Sequence, residues 1–380
     1  MSRSTFDPEA QGMQHITRVW LDNSTDLSTP HDDLGEAVAA RAERQEDADP
    51  AARGASGRLP FVSVVVVTRA SLPRLVRCLE ALARQTYPVE RMEVVVVDRL
   101  CGNGTAGAVA TLARQRPGLR LCHTLCAPGA SLALARNAGW RRARGEVVGF
   151  TGDAAVPSNE WVMAAASLFD PAIDVVSGTV VVPLPARPAS AVREATQRVQ
   201  APWSAANVFY RRALLVQLQG FDERFVSDAH GSVDLALAAL GAQAGFAVAE
   251  RAVVIHDLPA REWLAGLREQ RAHAEEALLA KKHRTLYWRH VRQWPPLGHY
   301  VAAGALLTAS AGLLLNRRAL SWRALTLWGA LTLFRFARAM RGTSDDPRDL
   351  ADLLLSTAIM PPAAAGFRLA GALRHRVWFV

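Results

Sequence analysis

The chain has 380 residues, half of them hydrophobic and about a fifth charged, with a formal net charge of +9. That length allows two or three domains, and its four scattered cysteines, Cys78, Cys101, Cys122 and Cys126, exclude a disulfide-built scaffold. They point instead to free thiols in a reducing cytoplasm, and the Cys122/Cys126 pair has no second Cys or His pair at zinc-site spacing.

Residues 1–59 carry 11 acidic and 6 basic residues with few large apolar groups. Such a segment cannot bury enough surface to offset the entropy of ordering, so disorder is expected there. No apolar run of the kind a signal peptide needs occurs in it. From Phe61 the pattern changes. The β-branched run Val62–Thr68 reads as a strand, and Leu72, Leu75, Leu79 and Leu82 recur at helical spacing after it. A second strand, Val94–Val97, ends on Asp98. The alternation continues with a helix over about 105–116, a strand near Leu119–Cys122, a helix over 131–142 and a strand over 147–150. Short strands joined by helices predict a parallel sheet with right-handed crossovers. A further strand begins near Val175 and meets Pro183, Pro185 and Pro188. A charged helix is expected from Arg261 to about Lys282.

The remainder differs in kind. From Ala260 onward there are 18 Lys and Arg against 8 Asp and Glu, and this basic pole flanks long apolar runs. Clustered bases attract nucleic acid or anionic membranes; the apolar flanks favour the membrane, so no nucleic-acid partner is expected. Gln293–Asn316 is 24 residues without Asp, Glu, Lys or Arg, long enough to span a bilayer. Ala324–Phe334 and Leu353–Phe367 are shorter, and the latter contains Pro361 and Pro362, which suggests re-entrant or interfacial segments. Trp288, Trp294, Trp322, Trp328 and Trp378 suit a membrane interface. Arginines lie on both sides of the first run, so the positive-inside rule assigns no orientation.

In chain order, Val62–Arg69, Val94–Asp98, Ala135-Arg-Asn-Ala-Gly139, Val147–Asp153, Ala206-Asn207 with Tyr210-Arg-Arg212, and Gly220–Phe225 resemble the family 2 glycosyltransferases with the GT-A fold. The resemblance covers about half the chain. It implies an α/β fold, a GT-A Rossmann-like nucleotide-sugar-binding domain over 60–285, with a mixed second half. Residues 1–59 precede it, and C-terminal hydrophobic membrane helices over 286–380 follow.

Transfer from a nucleotide sugar needs the diphosphate leaving group neutralised, usually by a divalent ion on carboxylates, and often a base for the acceptor. The resemblance places Thr68, Arg69, Asp98, Arg136, Asn137 and Asp153 at the donor, and Asn207 and Asp222 at the acceptor. Asp98 stands at a strand end, where open α/β sheets bind ligands, although such a residue also caps turns. Where the family has a two-carboxylate metal motif this chain reads Thr151-Gly-Asp153-Ala-Ala155. Asp153 and His256 are therefore the candidate ligands for Mn²⁺ or Mg²⁺, with His256 equally readable as a strand-end histidine. The family's Glu-Asp-x-Asp-Leu base motif becomes Gly231-Ser-Val-Asp234-Leu235, which leaves Asp234 and, upstream, Asp228 as candidate catalytic residues. Asp228 also reads as an N-cap. Gly102–Gly107 satisfies G-x-G-x-x-G, but it stands off the strand end and no acid follows the next strand, so an oxidoreductase reading is set aside.

The expectation is a membrane-associated glycosyltransferase with its catalytic domain cytoplasmic, acting by inversion. Its partners would be a nucleotide-sugar donor, an acceptor such as a lipid-linked or cell-envelope glycan, and the membrane. A non-catalytic relative acting as a binding or scaffold partner is the alternative.

Overall fold

The computed structural model describes residues 59–68, 71–99, 104–127, 129–201, 203–258, 266, 269–291 and 297–378. The disorder expected over 1–59, apart from Leu59, and the site residue Arg69 lie outside the described residues. The chain divides into two compact units. One comprises residues up to Pro183 with Gln197–Arg224 and Gly231–Asp257; the other comprises Leu184–Thr196, Phe225–His230 and Leu258–Val380.

The first unit is built on one eight-stranded sheet in the order β3-β2-β1-β4-β7-β6-β8-β5. Strands β1 (Val62–Thr68), β2 (Met92–Asp98), β3 (Arg120–Leu125) and β4 (Val147–Gly152) form its parallel half. Helices α1 (Leu72–Leu82), α2 (Thr105–Gln115) and α3 (Leu132–Arg142) make the crossovers. The strands β5 (Ala155–Pro157), β6 (Val175–Val181), β7 (Val208–Arg211) and β8 (Phe246–His256) form a mixed half, with α4 (Trp161–Ala166) and α6 (Arg212–Leu218). In it β7 runs antiparallel to both β4 and β6, while β6 and β8 run parallel.

Alternation along β1 explains how both faces are covered. Val62, Val64 and Val66 point into one core with Leu75, Leu79 and Trp161, while Val65 and Val67 point into the other with Ala135, Trp140 and Phe150. Burial on both faces is why β1 and β2 read as unbroken valine runs rather than as alternating ones. Gly139 lets α3 lie close on β1: a Cβ there would come within 2.4 Å of Val65 Cγ1.

The mixed half contains a bulge between Gly178 and Thr179 in the β6/β8 ladder. A bulge leaves ladder groups unmatched, and a side chain from β7's approach supplies their partner. The Asn207 amide, buried, donates to Thr179 O at 2.9 Å and Ala252 O at 2.8 Å, and its carbonyl accepts from Trp161 Nε1 at 2.8 Å.

The second unit is helical. It includes α5 (Ser190–Val199) as far as Thr196 and the first turn of α7 (Asp228–Gly241). A short 3₁₀ helix (Gln270–Ala274), α8 (Glu276–Lys282), α9 (Leu297–Leu314), α10 (Arg318–Ala339) and α11 (Pro347–His375) complete it. Of the charged helix expected from Arg261 to about Lys282, residues 261–265, 267 and 268 lie outside the described residues, and its later part is a 3₁₀ turn followed by a separate α-helix, joined at Glu275. The segment 353–367 does not break at its prolines. Pro361 and Pro362 lie inside the continuous α11. By length and composition α9 and α11 are long and apolar enough to cross a membrane.

Candidate active site

The parallel half places three polar side chains at the carboxyl ends of three adjacent strands. Thr68 ends β1 and pairs in register with Asp98 at the end of β2, while Gly152 at the end of β4 pairs with Val67 and is followed by Asp153. All three side chains are buried, and Thr68 Oγ1 donates to Asp153 Oδ2 at 2.9 Å. A buried carboxylate is costly without such partners. The candidate donor residues Thr68, Asp98 and Asp153 therefore form one row at the rim where open α/β sheets take ligands.

A residue the sequence did not single out joins this row. His123 lies on β3, beside β2, and its Nε2 approaches Asp98 Oδ2 at 3.7 Å. That is too long for a hydrogen bond and close enough for attraction when the ring is charged. The signal was available only as position, on the strand next to the one that ends in Asp98. Beyond Asp98 the chain is tethered: Asp98 O accepts from Cys126 N at 2.8 Å, and Arg99 Nε donates to Ala130 O at 2.9 Å.

Helix α3 starts at Ser131, whose hydroxyl accepts from Leu134 N at 3.1 Å and satisfies one of the free donors of the first turn. It carries Arg136 and Asn137, both buried. Arg136 lies over the Phe221 ring, 5.3 Å from its centroid. Burial pushes the Tyr210 phenol above its usual range, with the Arg136 charge opposing. Asn137 is occupied within the protein. Its Nδ2 donates to Phe221 O and Glu223 Oε1, each at 2.8 Å, and its Oδ1 accepts from Trp140 Nε1 and Phe221 N, each at 2.9 Å. Gly220, at φ +75°, lets the chain turn against this amide, where a Cβ would meet Trp140 Nε1 at 2.3 Å. Asn137 and Asn207 thus act as hubs that fix the backbone around the rim, and Glu223 is a partner the sequence gave no reason to expect.

Asp222 forms a close pair with Arg224, at 2.6 Å. This hydrogen bond raises the guanidinium's affinity for its proton, and buried Asp234 on α7 adds to the effect. Beside Asp234, Ser232 Oγ accepts from Ala205 N at 3.3 Å, so the serine standing in the base motif holds backbone. Asp228 begins α7 and belongs to the second unit.

The candidate metal ligands come from neighbouring chain segments. β5 and β8 pair Ala155 with His256, and Asp257 N donates to Ala154 O at 2.9 Å, which sets His256 opposite a residue two positions from Asp153. Asp257 itself pairs with Arg77 at 2.7 Å. Among the described residues no cluster of three or more His, Cys, Asp or Glu is arranged to hold a metal ion. A hard divalent ion takes six or more oxygen ligands, or keeps several waters. One carboxylate flanked by Gly152 and Ala154 is a poor fit to a tightly held ion.

A βαβ-built sheet with buried polar residues along its carboxyl rim is a frame that binds ligands at that rim. Residues 63–214 match the model of glycosyl transferase family 2, and this stretch is a family 2 glycosyltransferase domain. Over 123 residues the chain is 28% identical to glycosyltransferase AglE of Haloferax volcanii, a match that takes in 32% of this chain and 40% of the relative's length. Among solved structures it is similar to the mannosyltransferase PcManGT from Pyrobaculum calidifontis in complex with GDP-Man and Mn²⁺. There the identity is 22%, the coverage 97% of both chains and the TM-score 0.46. It is also similar to S. aureus TarS 1–349 in complex with UDP-GlcNAc, at 19% identity over 84% of this chain and 93% of that one, with a TM-score of 0.46.

Proposed function

We propose that the protein is a membrane-associated glycosyltransferase that moves a sugar from a nucleotide-sugar donor to an acceptor, with inversion. The observation that carries this reading is the row Asp98, Thr68 and Asp153 along the carboxyl ends of β2, β1 and β4, inside the segment that matches the family. Asp98 would accept a hydrogen bond from the nucleoside, since a buried carboxylate at a strand end is placed for such a contact. Arg136, buried beside the rim on α3, would supply positive charge toward the diphosphate. Asp234 is the candidate base within the same unit. The acceptor is a lipid-linked or cell-envelope glycan, because the helical unit is apolar enough to hold the protein at a membrane. The catalytic domain is cytoplasmic, where nucleotide sugars are supplied. Any Mn²⁺ or Mg²⁺ would be held weakly by Asp153 and His256, and no step is assigned to it.

A second reading is favoured by one observation. Ser232, in the place of the base motif's acid, is engaged by Ala205 N, as expected of a binding or scaffold protein that has lost turnover. A panel of nucleotide sugars, tested with and without Mn²⁺ for both binding and hydrolysis or transfer, separates the two. Binding with transfer supports the first reading, binding without transfer supports the second, and no binding overturns both.

A further inference from the structure

The second unit concentrates positive charge that its own residues do not balance. From Ala277 to Ser344 the chain has 11 Lys and Arg and no Asp or Glu, so α9 and α10 bring no acid of their own. These two helices lie side by side as a hairpin. Ala302, Ala305, Ala309 and Gly312 of α9 are buried, and Ser321 Oγ of α10 donates to Ala309 O at 2.9 Å. At the open end of the hairpin Arg335 of α10 reaches the start of α9, where a Cβ on Gly298 would meet its guanidinium at 2.7 Å. Arg335 is half-buried, and no carboxylate reaches it among the described residues. Arg338 lies three positions on, and therefore beside Arg335 on the helix surface. It is exposed and forms no ion pair among the described residues.

The surroundings add charge instead of cancelling it. His299, next to Gly298, is within electrostatic range of Arg335, and also of His273 on the 3₁₀ helix and Arg368 on α11. The acid at this junction is Glu276 of α8, and both its oxygens are taken. Oε1 meets His273 Nδ1 at 2.5 Å, and Oε2 meets Arg368 at 3.1 Å. That leaves Arg335 and Arg338 without a counter-charge. Drawing a charged group partly out of water without a partner costs free energy, and a like charge one turn away adds to the cost. A bound anion relieves both.

The residue types select among anions. Guanidinium forks match the oxygens of phosphate and hold them with two parallel hydrogen bonds each. The neighbours of these groups select the carrier. Leu297, beside Gly298, and Leu333 and Phe334, just before Arg335, are between 65% and 75% exposed. A soluble phosphate ester would leave these side chains in water. A phosphate carried on hydrocarbon chains covers them and meets the arginines at once, as basic spots on membrane helices do with anionic lipids.

We infer that Arg335, Arg338 and His299 form a binding site for the phosphate of a lipid, whose chains lie against Leu297, Leu333 and Phe334. All of these residues belong to the second unit. The inference rests on the membrane association proposed above.

The test begins with the unaltered full-length protein in an uncharged detergent, its melting temperature followed as one of three additions is titrated: dioleoylphosphatidylglycerol, dioleoylglycerol or inorganic phosphate. Phosphatidylglycerol should raise the melting temperature, and the other two at the same concentration should not. An equal rise with dioleoylglycerol overturns the role of the phosphate. An equal rise with inorganic phosphate overturns the lipid and leaves a site for a free anion. Arg335→Gln with Arg338→Gln should need about tenfold more phosphatidylglycerol for the same rise. Arg317→Gln with Arg318→Gln removes the same charge at the turn of the hairpin and should leave the titration unchanged. Equal weakening in both variants means attraction to net charge alone and overturns the site. Carbonate washing of membranes separates this inference from the one beneath it. Unaltered protein released into the supernatant overturns the membrane association and the lipid site together, whereas protein held in the pellet with no response to phosphatidylglycerol overturns the site alone.

Discussion

The sheet and the α9–α10 hairpin bury opposite kinds of residue. In β1 and β2 the valines are almost completely buried, whereas in the hairpin alanine and glycine are inside and leucine and tryptophan outside. In water, burying a branched side chain contributes roughly 1.5 to 3 kcal/mol, so the sheet encloses its large groups on both faces. The reverse arrangement is the one expected of helices packed in lipid, as the proposed membrane association requires.

The largest effect expected from breaking this comparison is at Asn207. Asn207→Ala removes the partner of two bulge carbonyls and of the Trp161 indole, and should cost about 3 kcal/mol or more, read as a lowered melting temperature with or without donor. If Asn207 acts at the acceptor instead, the variant will keep its melting temperature and lose only acceptor affinity.

Next in size is a matched pair of truncations. Val65→Ala should lower stability by about 2 kcal/mol, because it leaves a cavity in a closed core. Leu314→Ala should change the melting temperature of detergent-solubilised protein by no more than about 0.5 kcal/mol equivalent, yet release more protein from carbonate-washed membranes. Equal thermal effects would remove the distinction between the two interiors.

Asp98→Ala should weaken nucleotide binding by about 1 to 3 kcal/mol, measured by titration calorimetry on a variant whose melting temperature is unchanged. Unaltered affinity would take Asp98 out of the site.

A smaller effect concerns pH. Burial holds His230 below its ordinary value of 6.5, with Glu276 opposing and His273 and Arg368 adding to the depression. The unfolded chain therefore takes up this proton before the folded one does. The stability due to neutral His230 is complete above pH 6.5 and falls as the pH drops below it, by at most about 1.4 kcal/mol per pH unit. Melting between pH 7 and 5 should show this slope, and His230→Leu should flatten it. Metal binding comes last: Gly152→Asp with Ala154→Asp should tighten Mn²⁺, since added carboxylates supply the ligands the site lacks. No gain over the unaltered protein would place the metal elsewhere.

Much of the parallel half was legible because its signals are local. Val62–Thr68 and Val94–Asp98 are unbroken β-branched runs, and Ser131 before an alternating Leu/Ala stretch marks the start of α3. Thr68, Asp98 and Asp153 were reachable because a strand end is also a place in the fold. What escaped depends on pairs distant in sequence. The Asn207 hub joins residues 28 to 46 positions away, Glu223 meets Asn137 across 86, and Arg368 finds Glu276 across 92 positions in the sequence. Pro361 and Pro362 misled for the complementary reason. A local helix-breaking rule says nothing of the helices packed alongside.

Cys78 sits on α1 with no exposed surface, and burial, with the nearby Asp153 carboxylate, pushes its thiol far above the usual range. Only a thiolate reacts readily with alkylating reagents, so modification waits for molecules in which α1 has lifted from the sheet. The protein thus contains its own clock for that opening. A nucleotide that binds only the closed rim slows the clock by the factor 1 + [L]/Kd, so donor affinity can be read from one thiol's alkylation rate, with no turnover required.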